Sequence, residues 1–292
     1  MGADAADLLT RLRDELLAGR PAALVSVTAW RGSVPRKDYP RALFLADGQQ
    51  LGTVGGGCVD GAARVLALRV LAEGGRLAET LELDGEDAED ASLVCGGALG
   101  LEAERLAPGA AALARVEALL ADPALRPPVL YLLGGGHVGL ALARFADALG
   151  WRVFVHDDRP EFVDAQRFPF AAARLGGPLA SLSAWPPPTA ADAIAIATRG
   201  HHLDLAALRW AIAQPAGYLG LLGSARKRAL LERRLSEEGV SAAACARLHC
   251  PIGLAIGAES PEEIALAAAA ELTAFRRGAL PLAAASIAER KE

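Results

Sequence analysis

The sequence predicts an α/β protein of two domains: an N-terminal α/β domain, then a doubly wound parallel-sheet domain. Three observations carry this. From residue 129 onward, near-continuous apolar runs alternate with helix-like stretches, the pattern of a parallel sheet covered on both faces. Before that, short strand-like runs are joined by a turn signal. Between the two lies the pair Pro127-Pro128, which resists regular structure. With 292 residues, 52% apolar and 22% charged, the chain can bury a sizeable core in two domains.

The elements follow in order. The start, "MGADAADLLTRLRDELLAG", reads as an amphipathic helix with leucines at 8, 9, 12, 16 and 17. It lacks a basic start followed by an apolar run, so it is not a signal peptide, and Ala6 breaks the myristoylation pattern. Residues 23–29 ("ALVSVTA") and 42–46 ("ALFLA") are strand-like, and "ADG" at 46–48 signals a hairpin turn. A helix over 59–72 follows. Six acids between Glu82 and Asp90 read as a solvated loop, and "LGLEAERL" as a strand. The first domain is assigned to 1–107, a linker with a helix near 110–120 to 108–127, and the second domain to 128–292. There "VLYLLG", "RVFVHD", "DAIAIAT" and "GYLGLLG" are strands. A helix spans 137–149, and further helices follow the last two strands.

Charge and cysteine usage exclude several classes. The net charge of -5 disfavours a general nucleic-acid binder. Residues 1–126 carry 13 basic and 19 acidic side chains and the remainder 17 and 16, so the two parts offer different surfaces. No apolar run approaches the ~20 residues of a membrane span. Cys58, Cys95, Cys245 and Cys250 are too few for a disulfide scaffold and match no zinc template. The expectation is a cytoplasmic protein with reduced thiols, and a homodimer is plausible.

The sharpest motif is Gly134-x-Gly136-x-x-Gly139, directly after a strand and opening a helix, with Asp157 at the end of the next strand. This is the context of a dinucleotide-binding turn in a Rossmann-like domain: glycines admit a phosphate to the backbone, and free helix N–H groups favour the anion. An acid at the second strand end can accept from a ribose. His137 either donates to a phosphate or ligand oxygen, or bonds only to backbone. Thr198, Arg199, His201, His202 and Asp204 gather after another strand, where open α/β sheets bind ligands. Asp204 alternatively caps the next helix. Ser224 suits an N-cap, and Arg226, Lys227 and Arg228 in the first helical turn oppose the helix dipole. They mark either a phosphate site or a basic surface. Cys245, His249 and Cys250 read better as a buried strand than as ligands.

In the first domain, "GGGCVDGAA" places Cys58 after Gly55, Gly56 and Gly57 at a helix start, where a thiol gains thiolate character. Cys95 is likewise followed by two glycines. The sequence offers no histidine base in a cysteine-hydrolase pattern, which argues against acyl chemistry.

Together these stretches resemble the XdhC/CoxI family, accessory factors of xanthine dehydrogenase and related molybdenum hydroxylases. The resemblance rests on "GSVPR", "DGQQLGTVGGGCVDGA" and "CGG" in the first domain. In the second it rests on "LLGGGHVGLALARFADALGWRVFVHDDRPEF", "RFP", "ATRGHHLD", "YLGLLGSARKR" and "PIGLAIGAESPEEIALAAAAEL". It implies a chaperone that binds molybdenum cofactor (molybdopterin), holds it while a cysteine desulfurase or other sulfurtransferase supplies sulfur, and delivers it to apo xanthine dehydrogenase. On this basis the candidate cofactor-binding residues are Gly55, Gly56, Gly57, Cys58, Gly134, Gly136, His137, Gly139, Asp157, Arg159, Arg199, His201, Ser224, Arg226 and Lys227. Cys58 and Cys95 are candidate thiolates for the cofactor's molybdenum. Two departures stand out: the loop after "PR" reads "KDYPRA", without the usual glycine near Tyr39, and Asp60 stands where Glu is common. The alternative readings are an NAD(P)-dependent oxidoreductase, which lacks an evident catalytic Lys, Tyr or Ser–Tyr–Lys set, and a docking scaffold.

Overall fold

The computed structural model describes residues 5–34, 40–83, 97–122 and 126–280. It divides into two units, Met1–Arg126 and Pro127–Glu292.

The first unit is built on an antiparallel sheet of β1 (Ala22–Gly32), β2 (Arg41–Leu45), β3 (Gln50–Gly52), β4 (Arg76–Glu82) and β5 (Gly97–Leu106), in the order β3-β2-β1-β5-β4. Strand alternation sends Ala23, Val25 and Val27 to one face and Ala22 and Leu24 to the other. The first face packs on α2 (Gly57–Glu73) through Val59, Ala63, Leu66 and Val70. The second packs on α1 (Ala5–Leu17) and α3 (Ala110–Leu120), through Leu8, Leu9, Leu12, Leu16 and Val116. Leu17 departs from the amphipathic expectation: it is 65% exposed, on the far side of the stripe. The hairpin β2–β3 turns at Gly48, whose φ of +87° favours glycine. The strand β4 is not expected from the sequence. It is an edge strand whose side chains are mostly exposed, so its pairing with β5, not its own pattern, makes it a strand. The acidic run expected as a loop, beyond Glu82, and Cys95 lie outside the described residues.

The second unit holds a six-stranded parallel sheet: β6 (Val129–Leu133), β7 (Arg152–Asp157), β8 (Ala173–Gly176), β9 (Ala193–Ile196), β10 (Tyr218–Leu221) and β11 (Leu248–His249). The order β11-β10-β9-β6-β7-β8 is the doubly wound arrangement, with its switch point between β6 and β9. Leu130, Leu132, Val153, Val155, Ala193 and Ala195 face α4 (His137–Ala148) and α8 (Pro261–Arg276). Val129, Tyr131, Leu133, Phe154, Ile194 and Ile196 face the other way, toward α5 (His201–Ile212) and α6 (Ala225–Glu237). A short helix, α7 (Ala242–Cys245), precedes β11. Cys245 and Cys250 are buried free thiols, Cys245 in that helix rather than in a strand. Burial pushes the Cys250 thiol up to about 11, despite Lys227 and Arg228 nearby. The start of α8 carries a reciprocal cap between Ser260 and Glu263, with Pro261 at its first turn. Among the described residues, no helix is long and apolar enough to cross a membrane.

Candidate functional site

The turn between β6 and α4 is held on three sides. Gly134 N donates to His156 O at 2.7 Å, and Ala197 N donates to Leu133 O at 2.7 Å, so the turn is tied to the ends of both β7 and β9. A Cβ on Gly134 would stand 2.1 Å from Ala197 O, one on Gly135 would stand 2.3 Å from Phe162 O, and one on Gly139 would stand 2.0 Å from Gly134 O. Gly136 differs: a Cβ there meets nothing within 4 Å. It is the N-cap of α4, whose first turn receives no side-chain cap. The open backbone and the uncapped N–H groups form a surface suited to an anion. His137, the first residue of α4, is exposed beside them.

Charge is concentrated around this turn. Asp157 Oδ2 accepts from Gly135 N at 2.9 Å, and Oδ1 accepts from Arg159 N at 3.0 Å and Nε at 2.9 Å. Burial opposes ionisation of Asp157, but the Arg159 guanidinium and the two backbone N–H groups outweigh it and hold its carboxyl below the usual value. Both oxygens are thus turned to the protein, and Asp157 shapes the turn from beneath. Arg159 stacks on Phe162 at 3.4 Å. Arg199 reaches from the end of β9 to Asp158 Oδ2 at 2.6 Å and remains 56% exposed. Arg167, in the "RFP" stretch, donates through Nε and a terminal nitrogen to Gly135 O at 3.1 and 3.0 Å. Arg159, Arg167 and Arg199 thus stand at the rim of the turn among the carboxylates of Asp157, Asp158, Glu161 and Asp164. Sequence spacing points to Arg159 and Arg199 but not to Arg167. It lies 32 positions beyond Gly135, and only its hydrogen bonds to that residue reveal it.

The residues after β10 do something else. Ser224 caps α6, accepting from Lys227 N at 3.2 Å, as expected. Lys227 Nζ turns inward to Asp204 Oδ2 at 2.5 Å and donates to Leu222 O at 2.8 Å. Thr198 Oγ1 donates to the other oxygen of Asp204 at 2.7 Å. Asp204 therefore joins α5 to α6 rather than capping α5, whose N-cap is Gly200. Arg228 pairs with Glu232 at 2.7 Å, which leaves Arg226 as the exposed cation of the three. His201 opens α5, and its side chain lies outside the described residues.

In the first unit, Gly55, Gly56, Gly57 and Cys58 form one loop into α2. Thr53 Oγ1 accepts from Gly55 N and Gly56 N at 3.2 and 3.0 Å. Asp60 receives Thr53 Oγ1 at 2.7 Å and Val54 N at 2.8 Å. Asp60 is thus the anchor of the loop, a task its shorter side chain performs from the first turn of α2. Gly56 and Gly57 have φ of +79° and +49° with open space beyond, and Cys58 is exposed at the helix start. Among the described residues, no group of three or more His, Cys, Asp or Glu side chains is placed to hold a metal.

Comparison with known proteins agrees across both units. Residues 130–272 match the family model described as the XdhC Rossmann domain, and residues 16–83 match that of the XdhC and CoxI family. The chain is 34% identical over 270 residues to the uncharacterized protein YqeB of Escherichia coli, covering 89% of this chain and 44% of YqeB. It is 32% identical over 154 residues to a probable xanthine dehydrogenase subunit of Bacillus subtilis, covering 51% of this chain and 43% of that protein. It therefore spans less than half the length of these two curated relatives. It is 27% identical over 281 residues to the molybdenum cofactor insertion chaperone PaoD of Escherichia coli, covering 90% and 86% of the two chains. A crystal structure of a protein named xanthine dehydrogenase, from Bacillus halodurans, shares the fold with a TM-score of 0.76 at 20% identity, over 92% of this chain and 96% of that one. With the doubly wound sheet, the glycine turn and both family models in agreement, the chain belongs to the XdhC/CoxI family.

Proposed function

We propose that this protein is a molybdenum-cofactor carrier: it holds the cofactor by its phosphate, presents it for sulfuration by a sulfurtransferase, and delivers it to an apo molybdenum hydroxylase of the xanthine dehydrogenase type. It carries out no turnover chemistry of its own. The observation that supports this most is the open backbone at Gly136 on an uncapped helix start, ringed by Arg159, Arg167 and Arg199. That arrangement fits a phosphate on a larger ligand. Relatives named as a cofactor insertion chaperone and a xanthine dehydrogenase subunit support the identity of the cargo. The cofactor supplies the molybdenum–sulfur chemistry that its client uses. The protein's residues bind and orient it, and the exposed Cys58 is a thiol for holding or shielding rather than for attacking a substrate.

Nicotinamide binding is less well supported, because Asp157 commits both oxygens to Gly135 and Arg159 and offers little to a ribose. The test is purification from cells that make the cofactor, followed by oxidation and fluorescence assay of the released pterin, and by activation of cofactor-free xanthine dehydrogenase. Bound pterin and activation are expected. Gly136→Val, which fills the open space without a backbone clash, should cut retained pterin by about tenfold. Its stability should stay within about 0.5 kcal/mol of the parent's. Absence of pterin and of activation in the parent protein overturns the proposal.

A further inference from the structure

Beyond the carboxyl ends of β10 and β11, a cavity of about 610 Å³ opens among the start of α6, the loop 250–258 and α8. Small-molecule sites occupy roughly 300–1,000 Å³. No residue of the glycine turn lines this cavity.

One of its walls carries His249. The Nδ1 of His249 lies 2.8 Å from Glu271 Oε1, and the other oxygen of Glu271 accepts from Tyr218 OH at 2.6 Å and from Gly253 N at 2.6 Å. Burial of Glu271 opposes its ionisation, yet the hydrogen bonds from His249, Tyr218 and Gly253 prevail and hold its carboxyl below the usual value. A carboxylate only accepts, so Nδ1 donates to Glu271 and Nε2 is the ring nitrogen left for a ligand. The Tyr218 ring stacks on the imidazole at 4.8 Å between centroids, which fixes its tilt. Nε2 makes no hydrogen bond among the described residues, and the ring lines the cavity. The Glu271 carboxylate and the stacked Tyr218 ring thus hold His249 in one orientation in the cavity wall, which Glu271 also lines.

The rest of the cavity is complementary in kind. Arg228 lines it with its side chain 18% exposed. Its Nε is engaged by Glu232, and its terminal nitrogens are further donors. Leu254 and Ile256 also line it, yet they are 39% and 55% exposed, an unusual place for two large apolar side chains on one loop.

We propose that this cavity binds a small heterocyclic anion: a ring nitrogen hydrogen-bonds His249 Nε2, an anionic substituent meets Arg228, and the ring face lies on Leu254 and Ile256. Nucleoside phosphates and pterin acids share this chemistry. The assignment does not rest on the cofactor-carrier reading and survives its failure.

The test is calorimetric titration of the full chain with GMP, guanosine, pterin-6-carboxylate and inorganic phosphate. GMP or pterin-6-carboxylate should bind, and whichever binds names the source of the ligand; inorganic phosphate should not compete. His249→Phe should weaken binding by about tenfold, and Arg228→Met should weaken GMP or pterin-6-carboxylate by about tenfold while leaving guanosine unchanged. His249→Gln keeps an acceptor and should restore most of the affinity, which guards against a fold defect in the Phe variant. Failure of both heterocyclic anions to bind, parent-like affinity in His249→Phe, or competition by phosphate alone each overturns the proposal.

Discussion

In the turn after β6, a Cβ on Gly134, Gly135 or Gly139 would run into backbone oxygen at 2.1, 2.3 or 2.0 Å. In the turn before α2, a Cβ on Gly56 or Gly57 meets nothing within 4 Å, and it is the positive φ that demands glycine. The first turn is packed from three sides and opens at one point, Gly136. The second is held from within by Thr53 and Asp60 and stays open along its outer side. Two similar glycine runs thus solve different problems: one brings three strand ends against a helix start, and the other bends the chain so that Cys58 stands exposed.

Substitution separates the two designs. Gly139→Ala should cost the most, about 3 kcal/mol or more, since the clash is with backbone that cannot step aside. Denaturant unfolding measures it, and a loss below about 1 kcal/mol breaks the contrast. Asp157→Asn comes next, with a loss of about 1.5–3 kcal/mol from the charged hydrogen bonds to Gly135 and Arg159. Because the folded carboxyl titrates below its unfolded value, this contribution is full above the ordinary carboxylate range and is lost as pH falls through the folded value. Parent and variant stabilities should therefore converge in acid, and parallel curves across that range would remove Asp157 from the account. Gly57→Ala should cost less, about 1–2 kcal/mol, because only backbone strain opposes it. Smallest is Cys58→Ser, within about 0.5 kcal/mol in stability, with retained pterin as the quantity that should fall. Unchanged retention would make Cys58 a residue of the turn alone.

The strands and helices that pack the two sheets are legible because their apolar spacing is strong: 22–27 alternate between two faces, and 129–133 are apolar throughout. β4 is not legible, for its exposed, charged side chains carry no burial signal and its identity comes from β5. Among site residues, the glycine turn and Asp157 can be read from spacing, but the direction of a side chain cannot. By spacing Lys227 belongs with a candidate phosphate site, yet the fold turns it to Asp204, on the preceding helix. His249 reads locally as part of a buried strand. Its partner Glu271 sits 22 residues later on α8, and nothing local links them.

By itself the sequence determined the two-part organisation, the parallel sheet, the glycine turn after β6 and the family. Each depends on local periodicity or on a short motif whose backbone demand is intrinsic to glycine. Only the tertiary structure decided which charges are paired inside the protein and which face outward. It turned Asp157 and Lys227 inward, brought Arg167 to Gly135, and paired His249 with Glu271 in the wall of an open cavity. Such pairings join strand ends and helices distant in the chain. They are fixed by the packing of the sheet rather than by the residues' neighbours in sequence.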